Sequence, residues 1–148
     1  MPTSTVSARS KIGGSRAAPD ETHPVLRLLV VDDHTDTVTA LARLLRSAGY
    51  AVKTADTASV ALSLAESESF DLVISDLGLP GMNGYDLMRQ IRKTSPLLRG
   101  IAMSGFGMEE DIRRSHDAGF TDHLVKPVSM DQLEMAIRKL FPMPAPTR

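Results

Sequence analysis

The chain has 148 residues and a formal net charge of −1 from 17 basic and 18 acidic residues. That length points to one domain, large enough to bury a real core without staples. The balanced charge argues against direct nucleic-acid binding, and the lack of cysteine excludes disulfides, thiolate catalysis and zinc–sulfur sites. No apolar run approaches the ~18 residues of a membrane span, so the expectation is a soluble, cytoplasmic protein with no membrane contact.

Residues 1–24 carry no periodic apolar positions and cannot offset their own ordering entropy, which predicts a flexible tail or linker. Their Ser and Arg content resembles a transit peptide, but the amphipathic stripe is missing and the linker reading is preferred. From 25 to 141 the texture alternates as one domain. Leu26-Arg27-Leu28-Leu29-Val30-Val31 is a nearly continuous apolar run, the form of a buried parallel strand, and it ends in Asp32-Asp33. Leu41, Leu44, Leu45 and Ala48 then recur at helical spacing, with Gly49 as the stop.

Tyr50–Ala55 predicts a second strand, half exposed, and Thr57–Ser67 a helix with Ala61, Leu64 and Ala65 on one side. Leu72–Ser75 is a third strand ending in Asp76, followed by a helix marked by Leu87, Met88 and Ile91. Ile101–Met103 and His123–Val125 are the last two strands, separated by a helix over Glu109–Ala118. The final helix starts at Ser129 with Gln132 three positions on, a capping box, and its apolar stripe is Leu133, Ala136, Ile137, Leu140 and Phe141. Residues 142–148, with Pro142, Pro144 and Pro146, read as a short tail. Too little chain remains there for an output domain, so output is expected from another molecule or another part of a parent chain.

Five strands alternating with five helices predict an α/β fold: a doubly wound, five-stranded parallel sheet of flavodoxin-like order 2-1-3-4-5 with helices on both faces. Ligands of such sheets bind beyond the carboxyl ends of the strands. Asp32 and Asp33, Asp76, Ser104 and Lys126 close four of them. Carboxylates sharing one pocket repel, and a hard divalent cation relieves that repulsion; all-oxygen ligation favours Mg²⁺. Lys126 is a flexible point charge suited to a phosphate oxygen, and Ser104 offers a hydroxyl donor. Each residue alone reads as a turn former or loop entry, and only their joint place on one rim carries weight.

These residues resemble the receiver domain of two-component response regulators, the CheY-like family, from about Leu26 to Leu140. The motifs are Val30-Val31-Asp32-Asp33, Ser75-Asp76-Leu77-Gly78-Leu79-Pro80-Gly81-Met82-Asn83-Gly84, Met103-Ser104-Gly105, Ala118-Gly119 and Leu124-Val125-Lys126-Pro127. The resemblance implies that Asp76 accepts a phosphoryl group and that Asp32, Asp33, Asp76 and the Gly78 carbonyl hold Mg²⁺. It implies that Ser104 and Lys126 bind the phosphoryl oxygens, and it is compatible with a cis Lys126–Pro127 bond. The implied donor is a sensor histidine kinase or a His-containing phosphotransfer domain, and the implied output is switched binding of a downstream protein. Residues 119–127 are similar to receivers attached to hybrid sensor kinases. Dimerisation through the fourth and fifth helices stays open.

The chain departs from the family pattern at His123, where Tyr or Phe often stands as the switch residue. A partly buried polar residue is the preferred reading, ahead of a pH-sensitive output. Phe106 could shield a phosphate or simply pack. His34 and the other histidines show no metal spacing and are expected at the surface. Competing functions are an Asp-nucleophile phosphohydrolase, for which no substrate-enclosing cap segment is visible, and an unphosphorylated docking module, which needs none of the acidic set.

Overall fold

The computed structural model describes residues 25–105 and 109–142; the expected N-terminal tail, residues 143–148 and Phe106 lie outside that range. The elements run β1 (Arg27–Val31), α1 (Thr35–Ser47), β2 (Ala51–Ala55), α2 (Ala58–Ser67), β3 (Leu72–Asp76), α3 (Gly84–Thr94), β4 (Arg99–Ser104), α4 (Glu109–Ala118), β5 (Asp122–Val125) and α5 (Met130–Leu140). All five strands are parallel, in the order β2-β1-β3-β4-β5. This is the predicted doubly wound sheet.

Its two faces follow from the period of 2 along each strand. Leu28 and Val30, Leu72 and Ile74, and Ile101 and Met103 point to one side, where they pack with Leu41, Ala42 and Leu45 of α1 and Leu133, Ala136 and Ile137 of α5. Leu29, Val31, Val73 and Ala102 point to the other side, against Ala58 and Ala61 of α2, Leu87, Met88 and Ile91 of α3, and Ala118 of α4. β1 and β3 are central and covered on both faces, which explains their uninterrupted apolar text.

The helix ends match their local sequence. Thr57 caps α2 by accepting from the Val60 amide at 3.1 Å, and Asn83 caps α3 by accepting from the Asp86 amide at 2.9 Å. Ser129 and Gln132 form the reciprocal capping box of α5. α1 ends on Gly49 at φ +105°, where the Gly49 and Tyr50 amides return to the Arg46 and Leu45 carbonyls at 3.0 and 3.1 Å.

The stripe expected for α1 is offset by one turn. Its buried residues are Val38, Leu41, Ala42 and Leu45, whereas Leu44 is 48% exposed and Ala48 caps the helix in an exposed position. Both series have i, i+3, i+4, i+7 spacing, and the larger Leu44 favours the wrong one on hydrophobicity alone.

One glycine positions the site directly. Gly84 opens α3 with its amide on the Leu77 carbonyl at 3.0 Å, and a Cβ there would lie 2.4 Å from the Asp76 carbonyl oxygen. Only a residue without a side chain lets α3 start this close to the end of β3.

Candidate functional site: an acidic pocket bridged by a lysine

Asp32, Asp76 and Lys126 continue the parity of Leu28–Val30, Leu72–Ile74 and Leu124, so all three leave the sheet on the α1/α5 side. The Lys126 ammonium donates to Asp32 Oδ2 and to Asp76 Oδ2, both at 3.0 Å. Asp32 is fully buried and Asp76 is 6% exposed. One cation thus offsets two carboxylates that could not otherwise share a pocket.

The remaining oxygens are also engaged. Asp32 Oδ1 accepts from the His34 amide at 2.9 Å and pairs with His34 Nδ1 at 2.8 Å; Asp76 Oδ1 accepts from the Gly78 amide at 3.1 Å. Asp33 is exposed, with Oδ1 at 3.4 Å from the same imidazole nitrogen.

These contacts shift protonation. Burial alone would raise the Asp32 carboxyl, but hydrogen bonds from the His34 amide, the His34 ring and Lys126, with that ammonium's charge, hold it below the ordinary aspartate value. Burial would likewise lower Lys126, yet its bonds to Asp32 and Asp76 and their charges raise it above the ordinary lysine value. The exposed His34 is raised by its hydrogen bond to Asp32 and by the Asp32 and Asp33 charges.

The donor set fits a hard cation. Ligand atoms of Asp32, Asp33, His34 and Asp76 all lie within 4.8 Å of one another. Three of the four residues supply carboxylate oxygens, the ligand type preferred by Mg²⁺.

Ser104 and His123 form a second cluster, of opposite parity. Ser104 follows Ala102 on the α4 side of the sheet, and His123 pairs in register with Ala102 from β5. Ser104 Oγ lies 2.7 Å from His123 Nε2, and His123 Nδ1 lies 3.1 Å from Ser115 Oγ of α4. His123 is partly buried and Ser115 is buried. The chain returns to the first cluster through the Lys126 amide, which donates to the Ser104 carbonyl at 2.7 Å. The Lys126–Pro127 bond is cis.

The structure therefore brings Asp32, Asp33, Asp76 and Gly78 to one pocket with Lys126, and engages the Ser104 hydroxyl with His123. Sequence reasoning missed two residues. His34 is at the surface as expected, but its ring turns back onto the Asp pair beside it; adjacency was the available signal. Ser115 carries no sequence signal, because its partner comes from β5.

Fold and site together define a doubly wound α/β domain with one lysine-bridged acidic pocket at the carboxyl edge of its sheet. Residues 28–138 match the family model of the response regulator receiver domain, and the chain belongs to that family. It is 35% identical over 144 residues to the virulence sensor protein BvgS of Bordetella bronchiseptica, covering 88% of this chain but 12% of BvgS. It is 38% identical over 111 residues to the two-component response regulator ARR14 of Arabidopsis thaliana, covering 74% of this chain and 29% of that regulator. Among solved structures, a CheY-like receiver domain protein from Methanospirillum hungatei superposes with a TM-score of 0.75 at 32% identity, over 79% of this chain and 94% of that one. The chain thus spans an eighth to under a third of the length of those two larger relatives. Among the described residues no helix is long and apolar enough to cross a membrane.

Proposed function

We propose that Asp76 is the phosphoryl acceptor of a His-to-Asp relay and that the domain is a timed switch rather than a metabolic enzyme. The observation that carries this is the Lys126 ammonium held at 3.0 Å from an oxygen of both Asp32 and Asp76. A carboxylate buried next to a fixed cation is poised to attack phosphorus and to have its product's charge met.

In this reading an Asp76 oxygen forms a bond to phosphorus as the phosphorus–nitrogen bond of a partner's phosphohistidine breaks, the electron pair leaving with the imidazole. Mg²⁺, held by Asp32, Asp33, Asp76 and the Gly78 carbonyl, would supply charge neutralisation for the phosphoryl oxygens. Lys126 holds another oxygen, and the Ser104 hydroxyl donates to a third. Water later cleaves the acyl phosphate, so the domain catalyses only its own phosphorylation and dephosphorylation. The added group brings roughly −1.5 to −2 charges, by analogy with the phosphohydroxyl residues.

A groove between α1 and the segment after β5, lined by His34, Ala40, Leu44 and Pro127, opens beside Lys126 and gives a partner access. Similarity to BvgS and to the sensor histidine kinase RcsC of Salmonella typhi supports a histidine kinase or phosphotransfer domain as donor; a cytoplasmic setting is part of the same proposal. Output is switched binding of a downstream protein, with self-association through α4 and α5 as one form to test.

Incubation with acetyl phosphate and Mg²⁺, followed by intact-mass measurement, tests the reading. One phosphoryl adduct, absent in Asp76→Asn and without Mg²⁺, is expected. Steady phosphate release from small phosphomonoesters would instead indicate a phosphohydrolase, and no adduct under acid quench would indicate a docking module.

A further inference from the structure

The oxygens of the acidic pocket are divided between two cationic or donor side chains. Oδ2 of Asp32 and Oδ2 of Asp76 face the Lys126 ammonium, each at 3.0 Å. Oδ1 of Asp32 goes instead to the ring of His34, whose Nδ1 lies 2.8 Å from it and 3.4 Å from Asp33 Oδ1. Burial does not drive the ring there, since the His34 side chain is 65% exposed. Nor does helix capping: His34 is the N-cap residue of α1, yet its side chain makes no capping hydrogen bond. The imidazole is turned to the carboxylates, not to the helix it precedes.

The spacing suits donors to one ion. Donors on adjacent corners of an octahedron with bonds of ~2.1 Å stand about 3.0 Å apart, and donors on opposite corners about 4.2 Å. The separations of 2.8 and 3.4 Å from Nδ1 to the two carboxylates bracket the first figure. Ligand atoms of Asp32, Asp33, His34 and Asp76 all lie within 4.8 Å of one another, close to the second. Nδ1 now carries a hydrogen toward Asp32, because a carboxylate can only accept. Moving that hydrogen to Nε2 of the neutral ring frees the Nδ1 lone pair with no net loss of a proton.

We propose that His34 Nδ1 is a nitrogen donor to the cation of this pocket, and that it shifts the pocket's preference from Mg²⁺ toward first-row transition dications. The inference rests on the acidic pocket being the metal site of the proposed phosphoryl acceptor. Carboxylate and carbonyl oxygens suit Mg²⁺ and Mn²⁺, whereas imidazole favours ions such as Ni²⁺ and Zn²⁺. Mg²⁺ gives up its water reluctantly, so an imidazole at one corner adds little to its binding. The same corner filled by nitrogen strengthens the hold on a transition ion. His34 is thereby a selectivity residue: the three aspartates set the charge of the site, and the ring beside them sets which divalent ion is held best.

Pulsed EPR of Mn²⁺ on the full chain, which detects a directly bound ¹⁴N nucleus, tests the assignment, with calorimetric titration by Ni²⁺ and by Mg²⁺ beside it. Alkaline buffer keeps protons from competing for the ring. His34→Leu removes the donor from an exposed position, and Asp33→Asn removes an oxygen of the pocket. The parent is expected to show an imidazole nitrogen on Mn²⁺ that is lost in His34→Leu. Ni²⁺ affinity is expected to fall at least about tenfold in His34→Leu, with Mg²⁺ affinity within about twofold of the parent. Asp33→Asn is expected to weaken both ions. Binding that depends on Asp33 but shows no nitrogen signal, or a signal that survives in His34→Leu, overturns the role of His34 alone. A rise in both affinities in His34→Leu also overturns it, because the ring would then compete with the cation for Asp32. Equal affinities of parent and Asp33→Asn for every ion overturn the metal pocket together with the donor built on it.

Discussion

At the carboxyl end of the sheet, charge organises one side and neutral hydrogen bonds the other. Asp32, Lys126 and Asp76 emerge toward α1 and α5 and hold one another by charge at 3.0 Å. Ser104, His123 and Ser115 lie toward α4 and are joined by hydroxyl and imidazole hydrogens. The parity of β4 separates them: Met103 belongs to one face and Ser104 to the other. The charged trio keeps two buried carboxylates compensated by one shared ammonium. The hydroxyl–imidazole chain instead ties β4, β5 and α4 together.

The comparison breaks most readily at Lys126. Lys126→Met leaves two buried carboxylates without their cation, and a loss of about 3 kcal/mol is expected in urea unfolding with EDTA, the low end for breaking a buried pair because Lys126 is partly exposed. Added Mg²⁺ should recover part of it. Equal stability of variant and parent would show that charge does not organise this side.

Gly84→Ala tests the support beneath Asp76. Its Cβ would meet the Asp76 carbonyl at 2.4 Å and Leu77 Cα at 2.8 Å, both backbone atoms that cannot swing aside. A loss of about 2 kcal/mol is expected by thermal unfolding, together with weaker Mg²⁺ binding. Ser115→Ala should cost less, about 1 kcal/mol, because only neutral bonds are removed. A loss as large as that of Lys126→Met would erase the contrast between the two clusters.

The pH dependence is smaller still and sharpens the same contrast. Asp32 is depressed in the folded state, so its contribution is present above the ordinary value near ~3.9 and is lost as pH falls through the folded value. Metal-free protein should lose unfolding midpoint below about pH 4, and Asp32→Asn should flatten that limb. His34 is raised, so its contribution is present below ~6.5 and is lost as pH rises through the folded value. His34→Asn should remove a shallow decline on that side.

Much of this was legible in the text. The apolar runs of β1 and β3 end on the aspartates that the pocket uses, and the Ser129–Gln132 box marks the start of α5. Strand-end residues announce themselves because a parallel sheet places them on one rim wherever they lie in the chain. The stripe of α1 was misread because two stripes of equal periodicity overlap and hydrophobicity cannot choose between them. Ser115 was invisible for a different reason. A buried hydroxyl is recognised by its partner, and that partner, His123, comes from another element and packs on the face that Ser104 shares.

The central claim is that phosphate goes to Asp76 and nowhere else. Phosphorylating the full chain with acetyl phosphate and Mg²⁺, reducing the acyl phosphate with borohydride and mapping peptides by mass spectrometry tests it directly. Homoserine at position 76, lost when Mg²⁺ is withheld, is the predicted result; reduction at Asp32 or Asp33, or at no carboxylate, would contradict it.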